Sequence, residues 1–252
     1  MLPKATRQEV VANNLANLEV AGFKRSGIFM RELMQAKKTQ SGDYPDWRIN
    51  RLNGVWTDFE QGQLRVTGDP FDLALKGNGF FAVRTPDGVQ FTRNGSFIRN
   101  SEGLLTTHLG YPVLDEAGAE IAIPEEFIEP VIDASGAVRG RDAATGEDTI
   151  IGTLQIVDFP ELYDSVAKAA DPYLSPFTKS KDGYYVPRPN TPQVPAEGVD
   201  VVQGFIEESN VEAVMEMVRM IDGFRGYETD QKAIQIQDST LDRAVNDLGV
   251  VR

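Results

Sequence analysis

A glycine pair, one histidine and scattered carboxylates are the residues of this 252-residue chain that could do chemistry. Gly77-Asn78-Gly79 could cradle a phosphate, but Phe80-Phe81 opens no helical pattern, and a dinucleotide loop needs a helix N-terminus behind it. The pair reads instead as a tight lead-in to a strand. His108, the one histidine, lies in Thr-Thr-His-Leu-Gly-Tyr and reads as a turn or surface residue. The neighbours Glu125/Glu126 and Glu207/Glu208 point different ways on a strand or helix, so neither forms an acid–base pair by itself. The stretch Asp142–Asp148 has too few ordered oxygen ligands for a calcium loop. Cysteine is absent, which removes thiolate nucleophiles, thiolate zinc sites, iron–sulfur clusters and disulfides together. The residues define no catalytic constellation and call for no cofactor or metal.

Composition points the same way. Apolar residues make up 41% and charged residues 25%, an ordinary globular balance. Against 38 acids stand 25 bases, for a net charge of −13. An acidic surface repels phosphate backbones, so nucleic acid is a poor partner. The first residues lack the apolar core of a secretory leader, and no stretch approaches the roughly 20 apolar residues of a membrane helix.

The elements that would position any site divide the chain into four parts. Residues 1–22 read as a helix, with Val11, Leu15 and Leu18 on one stripe, Pro3 in its first turn and Gly22 at its end. Residues 23–60 lack periodicity and read as an extended crossing segment that carries Trp47 and Trp56. Residues 61–205 read as an antiparallel, hairpin-rich β domain. Its strand-like runs are Phe71–Leu75, Phe80–Arg84, Val89–Thr92, Leu104–Thr107, Tyr111–Leu114, Ile150–Phe159 and Tyr184–Val186, punctuated by glycine turns. Thr85-Pro86-Asp87-Gly88 is the clearest hairpin signal, and the proline-rich stretch Pro187–Pro195 reads as an extended connector.

Residues 206–252 hold the strongest periodic signal, a long helix from about Asn210 to Leu248 capped by Ser209 or Asn210. Ala213, Met217, Met220, Phe224, Tyr227, Gln231, Ile234, Asp238, Leu241, Val245 and Leu248 alternate steps of four and three, a heptad seam with two polar members. Val211, Val214, Val218 and Ile221 add a second stripe over its first half. Such a helix wants a partner. Residues 1–40 carry seven bases and three acids, while residues 207–252 carry ten acids and five bases, so the two ends could pair in a coiled-coil-like arrangement. Screened charges of this kind set partner choice more than energy.

Several motifs, in order along nearly the whole chain, resemble the flagellar rod and hook axial proteins. The N-terminal signature is Val11-Ala12-Asn13-Asn14-Leu15-Ala16-Asn17 with Gly22-Phe23-Lys24-Arg25. The central one runs from Phe59-Glu60-Gln61-Gly62-Gln63-Leu64 through Thr67-Gly68 and Asp72–Phe81 to Phe91-Thr92-Arg93-Asn94-Gly95-Ser96-Phe97. At the other end, Gly204–Val211 leads into Glu216-Met217-Val218 and Arg225-Gly226-Tyr227-Glu228. Length and the compact middle resemble a basal-body rod protein rather than the larger hook protein. The short stretch before Phe59 and the Asp69-Pro70-Phe71-Asp72 phrasing lean towards the proximal-rod type, with the distal-rod type next. Members of the family usually begin further upstream, with more helix before the Asn-Asn-Leu-Ala-Asn motif.

The resemblance implies a non-catalytic subunit of the periplasm-spanning rod, exported through the flagellar export apparatus without a cleaved signal peptide. Its partners would be other rod and hook axial subunits, in a homo- or hetero-oligomeric helical assembly without membrane insertion. The terminal helices would pack into the inner tube while the β domain faces outward. The expected assembly interface is Val11, Asn13, Asn14, Leu15, Asn17 and Leu18 at one end, with Val214, Met217, Val218, Met220, Ile221, Phe224, Tyr227, Ile234, Leu241, Val245 and Leu248 at the other. A β-rich carbohydrate-active enzyme, with carboxylates converging from distant positions, and a secreted adhesin or binding module are the alternatives.

Overall fold

The computed structural model describes residues 2–35, 47–124, 127–142, 148–159, 177–180, 182–189 and 191–248. They form a mainly β protein with one helix near each end, α1 (Leu2–Ala16) and α2 (Ala213–Leu248). Two compact units result. One comprises the stretches Met1–Ala16, Ser26–Val55 and Glu212–Arg252; the other comprises Asn17–Arg25 and Trp56–Val211.

In the first unit, α1 lies against α2. The approach is close at Gly223, where an added Cβ would come within 2.2 Å of Gln8 Oε1. Gln8 Nε2 stands 3.5 Å from the carbonyl oxygen of Met220 on the same stretch. At 1.5 Å per residue, α1 is about 22 Å long and α2 about 54 Å. The segment 23–60, which has no periodicity in sequence, holds two strands, β1 (Ser26–Gln35) and β2 (Trp47–Thr57), paired with each other.

The second unit is the β domain, and all its registered strand pairs are antiparallel. Its early strands are β3 (Leu64–Val66), β4 (Leu73–Lys76), β5 (Phe80–Thr85), β6 (Gly88–Thr92), β7 (Phe97–Arg99) and β8 (Leu105–Thr107). Next come β9 (Phe127–Ile132), β10 (Ala137–Asp142), β11 (Asp148–Thr153) and β12 (Ile156–Asp158). The last are β13 (Phe177–Lys179), β14 (Tyr185–Pro187), β15 (Val194–Pro195), β16 (Asp200–Gln203) and β17 (Phe205–Glu207). A six-stranded sheet runs β13-β14-β6-β5-β12-β15, a three-stranded one runs β11-β10-β9, and β16-β4, β17-β3 and β7-β8 form pairs.

The hairpin expected at Thr85-Pro86-Asp87-Gly88 is present, with Thr85 paired to Gly88. Gly77-Asn78-Gly79 links β4 to β5. The run Ile150–Phe159 is divided between β11 and β12, and Tyr111–Leu114 contributes isolated bridges rather than a strand. Within the proline-rich stretch, Val194 and Pro195 pair with Asp158 and Val157.

Strand β5 accounts for the layout of the core. Side chains alternate across a strand, and here both faces are covered. Phe81 and Val83 join Leu73, Phe97, Leu105 and Leu154 in one cluster. Phe80 and Ala82 join Phe91, Phe159, Phe177 and Tyr185 in a second, on which Phe59 packs. A strand buried on both faces reads as an unbroken apolar run, as Phe80-Phe81-Ala82-Val83 does.

Candidate assembly surface and its buried anchor

The N-terminal candidates take different roles. Val11 is buried and Leu15 half-buried, while Asn13 is exposed. Asn14 is buried and committed within the chain: its Nδ2 donates to Ser26 O at 2.8 Å, and its Oδ1 accepts from Ser26 N at 2.9 Å. This side chain copies a backbone pair between α1 and the start of β1, and so satisfies a polar group that would otherwise be buried alone. The helix stops at Ala16, two residues short of Leu18, where the apolar stripe ends. Asn17 O accepts from Val20 N as the chain turns, so Asn17 and Leu18 belong to the β unit.

On α2 the seam side chains are open to solvent. Val214 is 73% exposed, Phe224 56% and Leu241 63%. Met217, Val218, Ile221, Tyr227 and Ile234 are exposed as well, and Met220 is half-buried. Val245 and Leu248 lie in the helix, but their side chains fall outside the described residues. The helix starts at Ala213, later than the cap expected at Ser209 or Asn210, because Asn210 is engaged elsewhere. In its first turn Glu216 is buried and takes Arg219 on one oxygen, while Oε2 has no partner among the described residues.

No local sequence pattern marks the centre of polar contacts inside the β unit. Lys24, Arg93 and Glu207 are all buried. Lys24 Nζ donates to Glu207 Oε1 at 2.5 Å and to Glu60 O at 2.7 Å. Arg93 Nη1 donates to Glu207 Oε2 at 3.3 Å, and Nη2 to Gly77 O at 2.7 Å. Gly62 N donates to Glu207 Oε1 at 2.8 Å, and Gly22 N to the Glu207 carbonyl at 2.7 Å. One carboxylate therefore faces two cations, and burial holds the Lys24 ammonium below the usual lysine range while Glu207 pulls it back up.

A second polar group stands beside this centre. Asn210 Oδ1 accepts from Arg25 N at 2.7 Å, and its Nδ2 donates to Asp58 O and Glu60 O, each at 3.0 Å. Arg25 pairs with Asp58 at 3.0 Å and lies over the Trp56 ring. Lys179 Nζ sits 3.9 Å from the centre of the Phe23 ring, and burial lowers its pKa to about 8.

Of the residues that could do chemistry, Gly77 and Glu207 meet through Arg93 alone, and His108 and Glu208 stand apart from them. His108 is exposed and shares a 3.1 Å hydrogen bond with Ser96. Glu207 is buried while its neighbour Glu208 pairs with Arg65 in a more exposed position. Glu125, Glu126 and the centre of the Asp142–Asp148 stretch lie outside the described residues. Among the described residues no three potential metal ligands gather, and no helix is long and apolar enough to cross a membrane.

Comparison with known proteins gives these features a setting. Residues 4–24 match a family model described as flagella basal body rod protein. Residues 74–140 match the flagellar hook protein FlgE/F/G D1 domain, and 202–248 the flagellar basal body rod FlgEFG protein C-terminal region. Together the three define the class, an axial protein of the flagellum. Several relatives carry the name flagellar basal-body rod protein FlgF. That of Caulobacter vibrioides is 33% identical, over 96% of this chain and 92% of the relative. That of Mesorhizobium japonicum is 30% identical over the same shares. The flagellar basal-body rod protein FlgG of Buchnera aphidicola subsp. Schizaphis graminum is 32% identical, over 93% and 91%. The chain belongs to the flagellar basal-body rod protein family.

Proposed function

We propose that the chain is a structural subunit of the bacterial flagellar rod, of the proximal FlgF type, that joins other axial subunits through its terminal helices and transmits torque without catalysis. The observation that carries this reading is the exposed seam on α2. From Val214 to Leu241 it spans about 40 Å of helix, with apolar side chains repeated along it. Isolated apolar residues are ordinary on a surface, but a repeated stripe of this length marks an association surface. Pairing of α1 with α2 in a coiled-coil-like manner, and of α2 with helices of neighbouring subunits, would cover it. A head-to-tail helical assembly uses such heterologous contacts. The FlgF relatives support the F type, and the cysteine-free composition suits export through the flagellar export apparatus into the periplasm.

The test is rescue of a strain that lacks its own proximal-rod gene. The chain should restore swimming and co-purify with intact basal bodies. A chain that is expressed and exported but absent from purified basal bodies defeats the reading.

A further inference from the structure

The chain passes between its two units four times, at residues 16/17, 25/26, 55/56 and 211/212. We propose that Asn210 is a positioning residue that clasps three of these passages, so that a twisting load enters the β unit through one tied bundle rather than through separate strands. The inference rests on the torque-bearing reading above.

The geometry is specific. Asn210 is two residues before the last passage, and its Oδ1 holds Arg25 N, the final residue before the second. Its Nδ2 holds the carbonyls of Asp58 and Glu60, just after the third. Its own N–H points to Phe23 O at 3.4 Å. Arg25 closes the loop: its carbonyl accepts from Asp58 N at 2.8 Å and its guanidinium pairs with the Asp58 carboxylate.

A single extended chain rotates about two soft dihedrals at every residue. It transmits tension well and torsion poorly. Passages tied to one another at hydrogen-bond distance cannot rotate independently unless those bonds break. An amide side chain suits the task because it offers an acceptor and two donors at once; a carboxylate has no donor, and alanine has neither. One layer further in, Lys24, Glu207 and Gly62 join the same three stretches of chain again.

The experiment uses the full-length protein as wild type, Asn210→Ala and Asn210→Asp. Hydrogen exchange read by mass spectrometry should rise by about tenfold or more in peptides covering 22–26 and 56–62 of the alanine variant. The β5–β6 peptide serves as the internal control and should not change. Asn210→Asp keeps the acceptor for Arg25 and should fall between; it is the variant read if alanine unfolds the domain. In a strain lacking its rod gene, variant rods should assemble in wild-type number, yet swimming speed should fall more steeply as the medium is made more viscous. Unchanged exchange in both peptides overturns the clasp. Raised exchange with unchanged load dependence overturns its mechanical role. If the wild-type chain itself fails to rescue the strain, the rod reading fails instead, and exchange alone then judges the clasp.

Discussion

Lys24 and Glu207 lie 183 residues apart in the chain, and their side chains meet at 2.5 Å with almost no surface left to water. Arg93 reaches the other oxygen of the same carboxylate. Glu207→Gln would leave two buried cations facing a neutral amide, and breaking a buried ion pair from one side costs about 3–5 kcal/mol. Lys24→Met leaves Arg93 and Glu207 paired and should cost clearly less. Urea unfolding of both variants tests this order. Equal losses would mean that the two cations are not competing for one partner.

The seam on α2 should behave in the opposite way. Ile221 and Leu241 are exposed, so Ile221→Asp and Leu241→Asp should leave the isolated protein within about 0.5 kcal/mol of wild type. In an assembled rod the same aspartates become buried and unpaired, and incorporation should be lost. Melting curves and basal-body preparations separate the two effects. Rods that assemble normally with either variant would remove the seam from the interface.

Alkaline stability carries a signature of three groups shifted by burial, Lys179, Lys24 and Tyr185. Burial lowers the Lys179 pKa from 10.5 to about 8, so between those values the unfolded chain binds more protons than the folded one. Stability therefore rises with pH across that window, and Lys24, also lowered by burial, acts in the same direction. Burial first, and the Glu207 charge second, push the Tyr185 phenol above its usual range. The unfolded chain then loses that proton first, and stability falls above about pH 10. Urea midpoints should trace this rise and fall, and Lys179→Met should reduce the rising limb. A limb of unchanged height would acquit Lys179.

Gly22 and Gly118 have similar positive φ angles, 66° and 77°, but different surroundings. A Cβ on Gly22 would lie 2.3 Å from the carbonyl carbon of Arg93, whereas one on Gly118 meets nothing within 4 Å. Gly118→Ala should cost only the left-handed backbone, about 1–2 kcal/mol. Gly22→Ala adds a collision with main chain and should cost roughly 2 kcal/mol or more beyond it. Thermal melting of the pair checks the difference, and equal midpoints would show that the Arg93 loop yields freely.

Local patterns were the legible part of the sequence. The β5–β6 hairpin and the start of β5 follow from Asp-Gly turn chemistry and an apolar run, both contained within a dozen residues. The long helix follows from its four–three alternation. The strand β1 escaped because Ser26–Gln35 shows no two-residue alternation of apolar and polar side chains, and β2 because the alternation of Trp47-Arg48-Ile49-Asn50 slips at Arg51 and is lost by Val55-Trp56. The buried centre escaped for another reason. Lysine, arginine and glutamate are surface residues by default, and nothing near Lys24, Arg93 or Glu207 in sequence marks them as partners. Their only common signal is membership of the three separate motifs that carried the family resemblance, where each would otherwise pass as solvated. From sequence Asn210 looks like a helix cap, because capping is the usual task of asparagine before an apolar run; its partners in the fold lie about 150 and 185 residues away.

Phe80 and Phe81 are adjacent in β5, yet each belongs to a different apolar cluster. The strand is thus a party wall between two rooms. Neither room can lose its packing without removing one side of the wall, and a wall stripped on one side no longer holds its alternation for the other. Heat should empty both together. A calorimetric scan of the β unit should show a single endotherm whose enthalpy matches its van't Hoff value.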